Sequence, residues 1–346
     1  MKHPSPLGVR GLSTLLILCL LLPVLVSCRA GSKGKKKVYY TYFDTVTEIC
    51  SYRAESDGDF SENADAAAEL LGTYHKLFDI YHEYEGVTNL ATINRLAGGE
   101  PVAADEKLID FLLFAKEMYG ATDGYVNVMM GSVLTLWHDF RERVSDGDAA
   151  VVLPPTEEEL AAARAHTAID ALRIDRDAKT VCITDKDASL DVGAMAKGYA
   201  AARAAELLRA RGADSYVINA GGNLVVLGAH PDGTPFPTVI RNPRGDGYAA
   251  TVSLSDTSFV TSGDYERYVT LNGVRYHHII DKDTLAPATR FSSVSVMVSD
   301  SGVGDALSTA LFCMPYEAGR ALAERFGAEV LWITPEGEIL RTEGMK

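Results

Sequence analysis

Cysteine is scarce in this sequence, with five among 346 residues. Cys19 lies within an N-terminal apolar segment and Cys28 lies two residues after its end, whereas Cys50, Cys182 and Cys313 are scattered through the rest of the chain. None has the C-x-x-C spacing of a zinc or redox site, and three isolated thiols make no disulfide framework. Because each of the three lies in an apolar stretch, we expect them to be small buried hydrophobic side chains.

An excess of positive charge is also missing. The chain has 33 Lys and Arg against 47 Asp and Glu, a net charge of −14. Seven of the basic residues fall in the first 37 positions, which hold no acid, so the remainder carries 26 − 47 = −21. An acidic body of this kind repels the phosphates of nucleic acids, which excludes a nucleic-acid partner. A phosphate-containing ligand needs a cation or local hydrogen-bond donors to bind here.

Long apolar runs are limited to Leu12–Val26, which follows Lys2 and Arg10. The run has the length of a secretory signal segment and is too short for a good membrane span. It ends in Leu-Val-Ser-Cys28, which looks like a bacterial lipobox; the alternative is a plain signal peptide with a chance cysteine. We expect residues 1–27 to be a lipoprotein signal peptide and Cys28 to be lipidated.

The predicted mature chain therefore starts at Cys28. Residues 28–37 are expected to form a basic tether, since the Lys- and Gly-rich stretch Gly31–Lys37 is typical of flexible linkers and suits an anionic membrane surface. Residues 38–346 are expected to form one catalytic domain, anchored by lipid at the outer face of the cell membrane. The sequence has no internal repeat and no linker that clearly splits this domain.

Hydrophobic periodicity predicts helices separated by a long series of short strands. The predicted helices are Asn63–Tyr84, Asp105–Tyr119, Thr156–Ala165, Met195–Arg211, Asp305–Phe312 and Tyr316–Phe326. The predicted strands are Ala171–Ile174, Val181–Thr184, Tyr216–Ile218, Leu224–Leu227, Thr238–Arg241, Thr251–Leu254, Tyr268–Leu271, Tyr276–Ile280, Ser293–Val298 and Glu329–Ile333. Helices, then meandering strands, then helices indicate an α+β fold with a largely antiparallel sheet.

Two segments rich in small residues join predicted elements. Asp191–Ala200 connects a strand to a helix, where free N–H groups, the helix dipole and Lys197 favour an anion. Its alternative interpretation is a structural turn with Asp191 near the cap and Lys197 in solvent. Asn219–Asn223 lies between two strands, and its paired glycines favour a hairpin turn over a flavin contact.

Two further groups of polar residues could carry chemistry. His277 and His278 are adjacent on a predicted strand, so at most one of them faces a given site. Asp305 and Thr309 lie four residues apart at a predicted helix start and offer two hard oxygen ligands suited to Mg²⁺. Asp305 could instead cap that helix while Thr309 bonds the preceding turn.

Taken together, these segments resemble the ApbE family of FAD:protein FMN transferases. The resemblance spans nearly all of the predicted mature chain, and the order of its weak motifs makes it specific. The segments that carry it are Phe43–Val46, Asn89–Asn94, Thr122–Asn127, Asp191–Ala200, Asn219–Asn223, Thr261–Tyr265, His278–Asp281 and Asp305–Thr309.

The resemblance implies an ApbE-like, T-fold-like catalytic body that moves FMN from FAD to a Thr or Ser hydroxyl of a target protein, with Mg²⁺ as cofactor and AMP as product. Asp305, Thr309 and the main-chain oxygen of Ala194 would hold the metal, with Ser308 assisting. His278 would be the general base. The FAD site would be lined by Phe43, Tyr125, Val126, Asn127, Asp191, Lys197 and Ile279.

The resemblance also suggests acceptor partners: flavin-carrying subunits of Rnf-type or sodium-pumping NADH:quinone reductases, or extracellular flavoproteins. This chain departs from the family pattern at Asp281–Leu285, where a Pro and a Thr-Gly pair are usual, and at Val126-Asn127, where Phe-Asp is usual. The alternatives are an FAD pyrophosphatase, with water as acceptor, and a flavin-binding lipoprotein without catalysis.

Overall fold

The computed structural model describes residues 34–147 and 152–345. The predicted signal peptide and Cys28 lie outside these residues. Eight α-helices, two short 3₁₀-helices (Ile169–Ala171 and Glu343–Met345) and fifteen strands are formed in the described parts. The helices are α1 Asp57–Phe78, α2 Leu90–Arg95, α3 Glu106–Ala121, α4 Gly131–Ser145, α5 Glu157–Arg164, α6 Ala196–Ala210, α7 Ser301–Cys313 and α8 Tyr316–Arg325.

The strands are short and pair only with antiparallel neighbours within the described chain. They are β1 Lys35–Tyr42, β2 Thr45–Ser51, β3 Val102–Ala103, β4 Leu172–Asp175, β5 Thr180–Ile183, β6 Tyr216–Ala220, β7 Asn223–Leu227, β8 Phe236–Arg241, β9 Tyr248–Leu254, β10 Ser258–Gly263, β11 Tyr268–Leu271, β12 Val274–His277, β13 Ser293–Val298, β14 Glu329–Ile333 and β15 Ile339–Arg341. The predicted α+β class is confirmed.

One eight-stranded sheet organises the molecule, in the order β1-β2-β6-β7-β10-β13-β14-β15. Its two faces belong to different apolar clusters, as β6 illustrates: Tyr216 and Ile218 pack with α1, α6 and α7, whereas Val217 packs with the β8–β9 hairpin. A third cluster joins α4 to the β11–β12 hairpin through Trp137, Phe140 and Tyr276. This third cluster positions His278, which directly follows β12.

Side-chain caps explain where several helices begin. Thr156 and Glu159 form the predicted capping box of α5, and Asp105 caps α3 through the amide of Lys107. A cap of this kind stabilises a helix by about 1 kcal/mol. The predicted bounds of α1 are wrong by one to two turns, because Ser56 caps the helix earlier and Asp79 folds the next residues into a turn.

Two expectations from the sequence are corrected. The predicted tether reaches Lys37, but Lys35–Lys37 already belong to β1, where they pair with β2 and their ammonium groups meet Asp57, Glu48 and Asp65. Cys313 is buried as expected, but Cys50 and Cys182 are only half-buried. Among the described helices, none has the length and apolarity needed to cross a membrane.

Candidate active site

Helices α6 and α7 touch at Gly198, and this contact places a carboxylate at the beginning of α6. A Cβ on Gly198 would lie 2.2 Å from the Ser301 carbonyl oxygen and 2.5 Å from Cβ of Asp305, so only glycine fits. The close approach lets the Gly198 amide donate to Asp305 Oδ2 at 2.8 Å. The small residues of Asp191–Ala200 therefore allow two helices to meet at a polar site.

Asp305 is buried, and both of its donors bind the same oxygen. Asn223 Nδ2, at the end of the β6–β7 turn, donates to Oδ2 at 3.0 Å beside the Gly198 amide. The other oxygen, Oδ1, accepts no hydrogen bond within residues 34–147 and 152–345. Burial raises the pKa of Asp305, while the nearby charge of Lys197 and these two hydrogen bonds oppose the rise. The site therefore holds a buried carboxyl group with one oxygen that has no hydrogen-bond partner among these residues.

The interpretation of Asp305 as a helix cap is wrong. Helix α7 begins one turn earlier, at Ser301, and its cap is Asp300, whose side chain accepts from the amides of Gly302 and Val303. Asp305 thus lies in the helix interior, and Thr309 follows one turn later on the same face. Within the part of the chain that the structure describes, the Asp305 carboxylate makes hydrogen bonds but no ion pair.

These residues fit Mg²⁺ by the chemistry of their oxygens. A buried carboxylate with a free Oδ1, a hydroxyl one turn away and a main-chain carbonyl are hard donors for this ion. Ala194, which would supply the carbonyl, lies in the loop that leads into α6. The hydroxyl of Ser308 is already engaged, since it donates to the Asp305 carbonyl and pairs with Ser262 at 2.7 Å. Its part in metal binding stays a prediction.

The loop before α6 is organised by Asp191, which does not cap the helix. Asp191 Oδ1 accepts from the Gly193 amide at 2.8 Å, and the Asp191 amide donates to the Val128 carbonyl at 2.8 Å. Helix α6 begins at Ala196 without a side-chain cap. Lys197 is half-buried in the first turn, and its charge affects both Asp305 and His278. The amides of Ala196 and Gly198 are already taken, by the Val192 carbonyl and the Asp305 carboxylate, so the helix start offers the site the Lys197 ammonium and the positive end of the helix dipole.

The two adjacent histidines have different environments. The His277 ring is buried against Phe312, and its Nε2 lies 2.8 Å from the Ala288 carbonyl oxygen. His278 Nδ1 is buried and has no hydrogen-bond partner in the described chain. Burial, followed by the positive charges of Arg267 and Lys197, holds the pKa of His278 well below its usual range. His278 is therefore neutral near pH 7, as a general base must be.

The remaining residues predicted to line an FAD site divide into side chains that are accessible and side chains that are packed away. Phe43 is half-buried in the β1–β2 turn, in a left-handed conformation with φ 54°, and its ring packs near Phe78. Val126 and Ile279 are both buried in the main core. The Asn127 side chain donates to the Thr167 carbonyl and accepts from the Met129 amide. FAD contacts by this group stay predictions.

The loop Asp281–Leu285, which departs from the family pattern, packs against Tyr125. The Tyr125 hydroxyl donates to Asp283 at 2.9 Å, and the Lys282 ammonium lies 4.4 Å from the centre of the Tyr125 ring. Leu285, where the ApbE pattern has glycine, adopts a left-handed φ of 56° and is buried. Its carbonyl accepts from Trp137 Nε1 at 2.7 Å. The contacts with α4 thus hold Leu285 in a left-handed conformation that glycine would adopt more readily.

A sequence model of the ApbE family matches residues 43–332. The chain belongs to the ApbE family. A curated FAD:protein FMN transferase of Treponema pallidum is 32% identical over 93% of this chain and 92% of its own length. Another, from Vibrio cholerae, is 32% identical over 72% and 73%.

Solved structures agree with this assignment. The ApbE protein of Thermotoga maritima matches with a TM-score of 0.78 and 28% identity, covering 90% of this chain and 97% of its own. The flavin transferase ApbE of Vibrio cholerae matches with a TM-score of 0.75 and 26% identity, covering 90% and 99%. The resemblance drawn from the ordered motifs is confirmed.

Sequence reasoning missed three residues near His278 and Asp191 in this ApbE chain. They are Tyr81, Arg141 and Arg267. The positive charges of Arg267 and Arg141 lower the pKa of His278, and burial and the charge of Asp191 raise the pKa of Tyr81. Helix α4, which carries Arg141, was not predicted, although Val133, Trp137 and Phe140 recur at helical spacing. That periodicity was the available signal for α4.

We expect Gly198→Ala to destabilise this ApbE protein by about 3 kcal/mol, since the added methyl overlaps the Ser301 carbonyl and must push α6 and α7 apart. Chemical denaturation measures the change. Gly120→Ala in α3 is the matched control, because a Cβ there meets nothing within 4 Å and should leave stability unchanged or slightly higher. Equal stability of Gly198→Ala and the wild type would contradict the packing described for α6 and α7.

Proposed function

We propose that this protein is an FAD:protein FMN transferase that depends on Mg²⁺ and links FMN to its acceptor through a phosphoester bond. The observation that carries the proposal is the grouping of three side chains around the start of α6: the buried Asp305 carboxylate, Lys197 and the neutral His278. The names of the curated relatives support flavin transfer as the activity of the family.

In the proposed reaction, His278 takes the proton from a Thr or Ser hydroxyl of the acceptor protein. The hydroxyl oxygen attacks the phosphorus next to riboflavin and forms a new P–O bond. The bond from that phosphorus to the bridging oxygen breaks, and AMP leaves with the electron pair. FMN remains on the acceptor as a phosphoester, and His278 returns its proton to solvent.

The pyrophosphate needs positive partners because the protein is acidic. Lys197, in the first turn of α6, supplies a donor, and the N-terminal end of the helix dipole adds positive potential from the chain itself. Asp305, Thr309 and the Ala194 carbonyl, with Ser308 beside them, are the residues that would hold Mg²⁺. When bound, that ion would stabilise negative charge on phosphate oxygens.

The test is an incubation of the full chain, purified in detergent, with FAD, MgCl₂ and a peptide carrying a Thr-containing flavinylation motif. The control peptide has Val at the Thr position. Chromatography and mass spectrometry should find AMP and the FMN mass on the Thr peptide only. AMP and free FMN at equal rates with either peptide would favour the pyrophosphatase, and intact FAD despite binding would favour a flavin-binding lipoprotein.

We further propose that the protein is lipidated at Cys28 and works at the outer face of the cell membrane, where it meets its acceptor. The lipobox-like Leu-Val-Ser-Cys28 supports this location. We expect wild-type protein expressed in a bacterium to incorporate an alkyne fatty acid and Cys28→Ser to incorporate none. Cys50→Ser is the control and should be labelled like the wild type. Labelling of Cys28→Ser, or an unlabelled wild type, would contradict the proposal.

A further inference from the structure

Three basic side chains come from separate elements to the surroundings of His278. Lys197 lies in the first turn of α6, Arg141 lies on α4, and Arg267 precedes β11. All three lower the pKa of His278 by their positive charge. Lys197 already belongs to the predicted FAD site, whereas the two arginines have no role in the mechanism above.

Backbone pairing places Arg267 beside His278. The His278 amide donates to the Arg267 carbonyl at 3.1 Å, one step beyond the paired Tyr268 and His277. Residues opposite each other on antiparallel strands project to the same side, and consecutive residues project to opposite sides. Because His277 faces the core at Phe312, Arg267 and His278 both project away from that core.

Helix α4 brings Arg141 to the same region. Phe140 packs on Tyr276 of β12 at 5.0 Å between ring centres, which holds the helix against the hairpin. Arg141 is half-buried, and its Nη1 is buried without a hydrogen-bond partner in the parts of the chain that are described. Its desolvation and the repulsion of Arg267 lower the pKa of Arg141. A buried N–H group of a guanidinium without an acceptor is costly unless an anion completes it.

The formal charges of the groups around His278 indicate which anion would bind Arg141. Without Mg²⁺, the formal charges of Asp191, Asp305 and Lys197 sum to −1, so these three groups alone would not attract a dianionic pyrophosphate. Adding Arg141 and Arg267 makes the sum of the five groups +1. Guanidinium groups bind phosphate oxygens in a bidentate geometry, and the acceptor hydroxyl is uncharged. The arginines therefore match the nucleotide better than the acceptor.

We propose that Arg141 and Arg267 bind the pyrophosphate of FAD beside His278, as specificity residues that distinguish the dinucleotide from riboflavin. The inference rests on the proposed function for the identity of the substrate. Both groups would touch phosphate oxygens and favour the charge that grows on the AMP phosphate as it leaves.

The test measures binding without Mg²⁺, by flavin fluorescence, for the full chain titrated with FAD and separately with riboflavin. Arg141→Gln should weaken FAD binding by about 10- to 100-fold, the effect of one lost charged hydrogen bond, and change riboflavin binding less than about twofold. Arg141→Lys should recover part of the loss. Arg143→Gln, an exposed arginine on the same helix, is the control and should bind both flavins like the wild type.

Arg267→Gln gives an independent measurement because Arg267 is exposed and its replacement does not disturb the core. It should also weaken FAD binding more than riboflavin binding. Equal losses for the two flavins would show a structural role and overturn the proposal, as would unchanged FAD binding in both variants. A wild type that transfers no FMN would refute the proposed function. If Arg141→Gln and Arg267→Gln still weaken FAD binding more than riboflavin binding, the proposed phosphate site would nevertheless be supported.

Discussion

Asp305→Asn should reduce FMN transfer by about 10³-fold or more while leaving the fold intact. Asparagine keeps the shape of Asp305 and can still accept from Gly198, but it removes the buried negative charge that a divalent cation would need. Metal stabilisation of phosphoryl charge contributes several kcal/mol, which sets this magnitude. Transfer is measured as AMP release and FMN mass on the acceptor peptide.

A thermal melt with and without MgCl₂ tests the same carboxylate without relying on activity. The wild type should melt at a higher temperature with Mg²⁺, since a ligand that binds only the folded state stabilises it, and Asp305→Asn should not respond. Asp300→Asn is the matched control on α7, because asparagine also caps helices well and the residue is one turn from the site. Wild-type transfer or a wild-type Mg²⁺ response in Asp305→Asn would exclude Asp305 as the metal carboxylate.

His278→Ala should lower the rate of transfer by about 10²- to 10⁴-fold, the usual contribution of a general base. Its stability should change by less than about 1 kcal/mol, because the buried Nδ1 has no partner to lose. The neighbouring His277→Ala should do the reverse. It loses the bond to Ala288 and packing on Phe312, so we expect a loss of about 2–3 kcal/mol of stability with folded molecules still active.

The pH dependence of transfer follows from the lowered pKa of His278. The base form is the neutral ring, so the rate should fall only when the pH drops well below 6.5, the ordinary value for histidine. Arg267→Gln removes a positive neighbour, raises the pKa of His278 and moves this acid limb to higher pH. A profile in which kcat already falls near pH 8, or an unmoved limb in Arg267→Gln, would show that another group is the base.

Elements with strong local signals were predictable from the sequence. The bounds of β13 and β14 are as predicted, since apolar residues with glycine, serine or aspartate at the ends mark them. The Asn219–Asn223 hairpin turn is also as predicted, with Gly221 and Gly222 at φ 59° and 95°. Strand β2 was missed because its buried face carries the polar residues Thr47 and Ser51 beside Ile49, so Thr45–Ser51 lacks the apolar alternation that marks a strand.

By itself, the sequence determined the α+β class and the family, because periodicity, caps and ordered motifs are properties of nearby residues. Only the tertiary structure decided which histidine lies free of the core and what holds Asp305. The donors of Asp305 come from Gly198 and Asn223, 107 and 82 residues away, and Arg141 reaches the site on a helix that packs on a distant hairpin. Contacts of this range depend on how helices and sheet pack together, which no local pattern encodes.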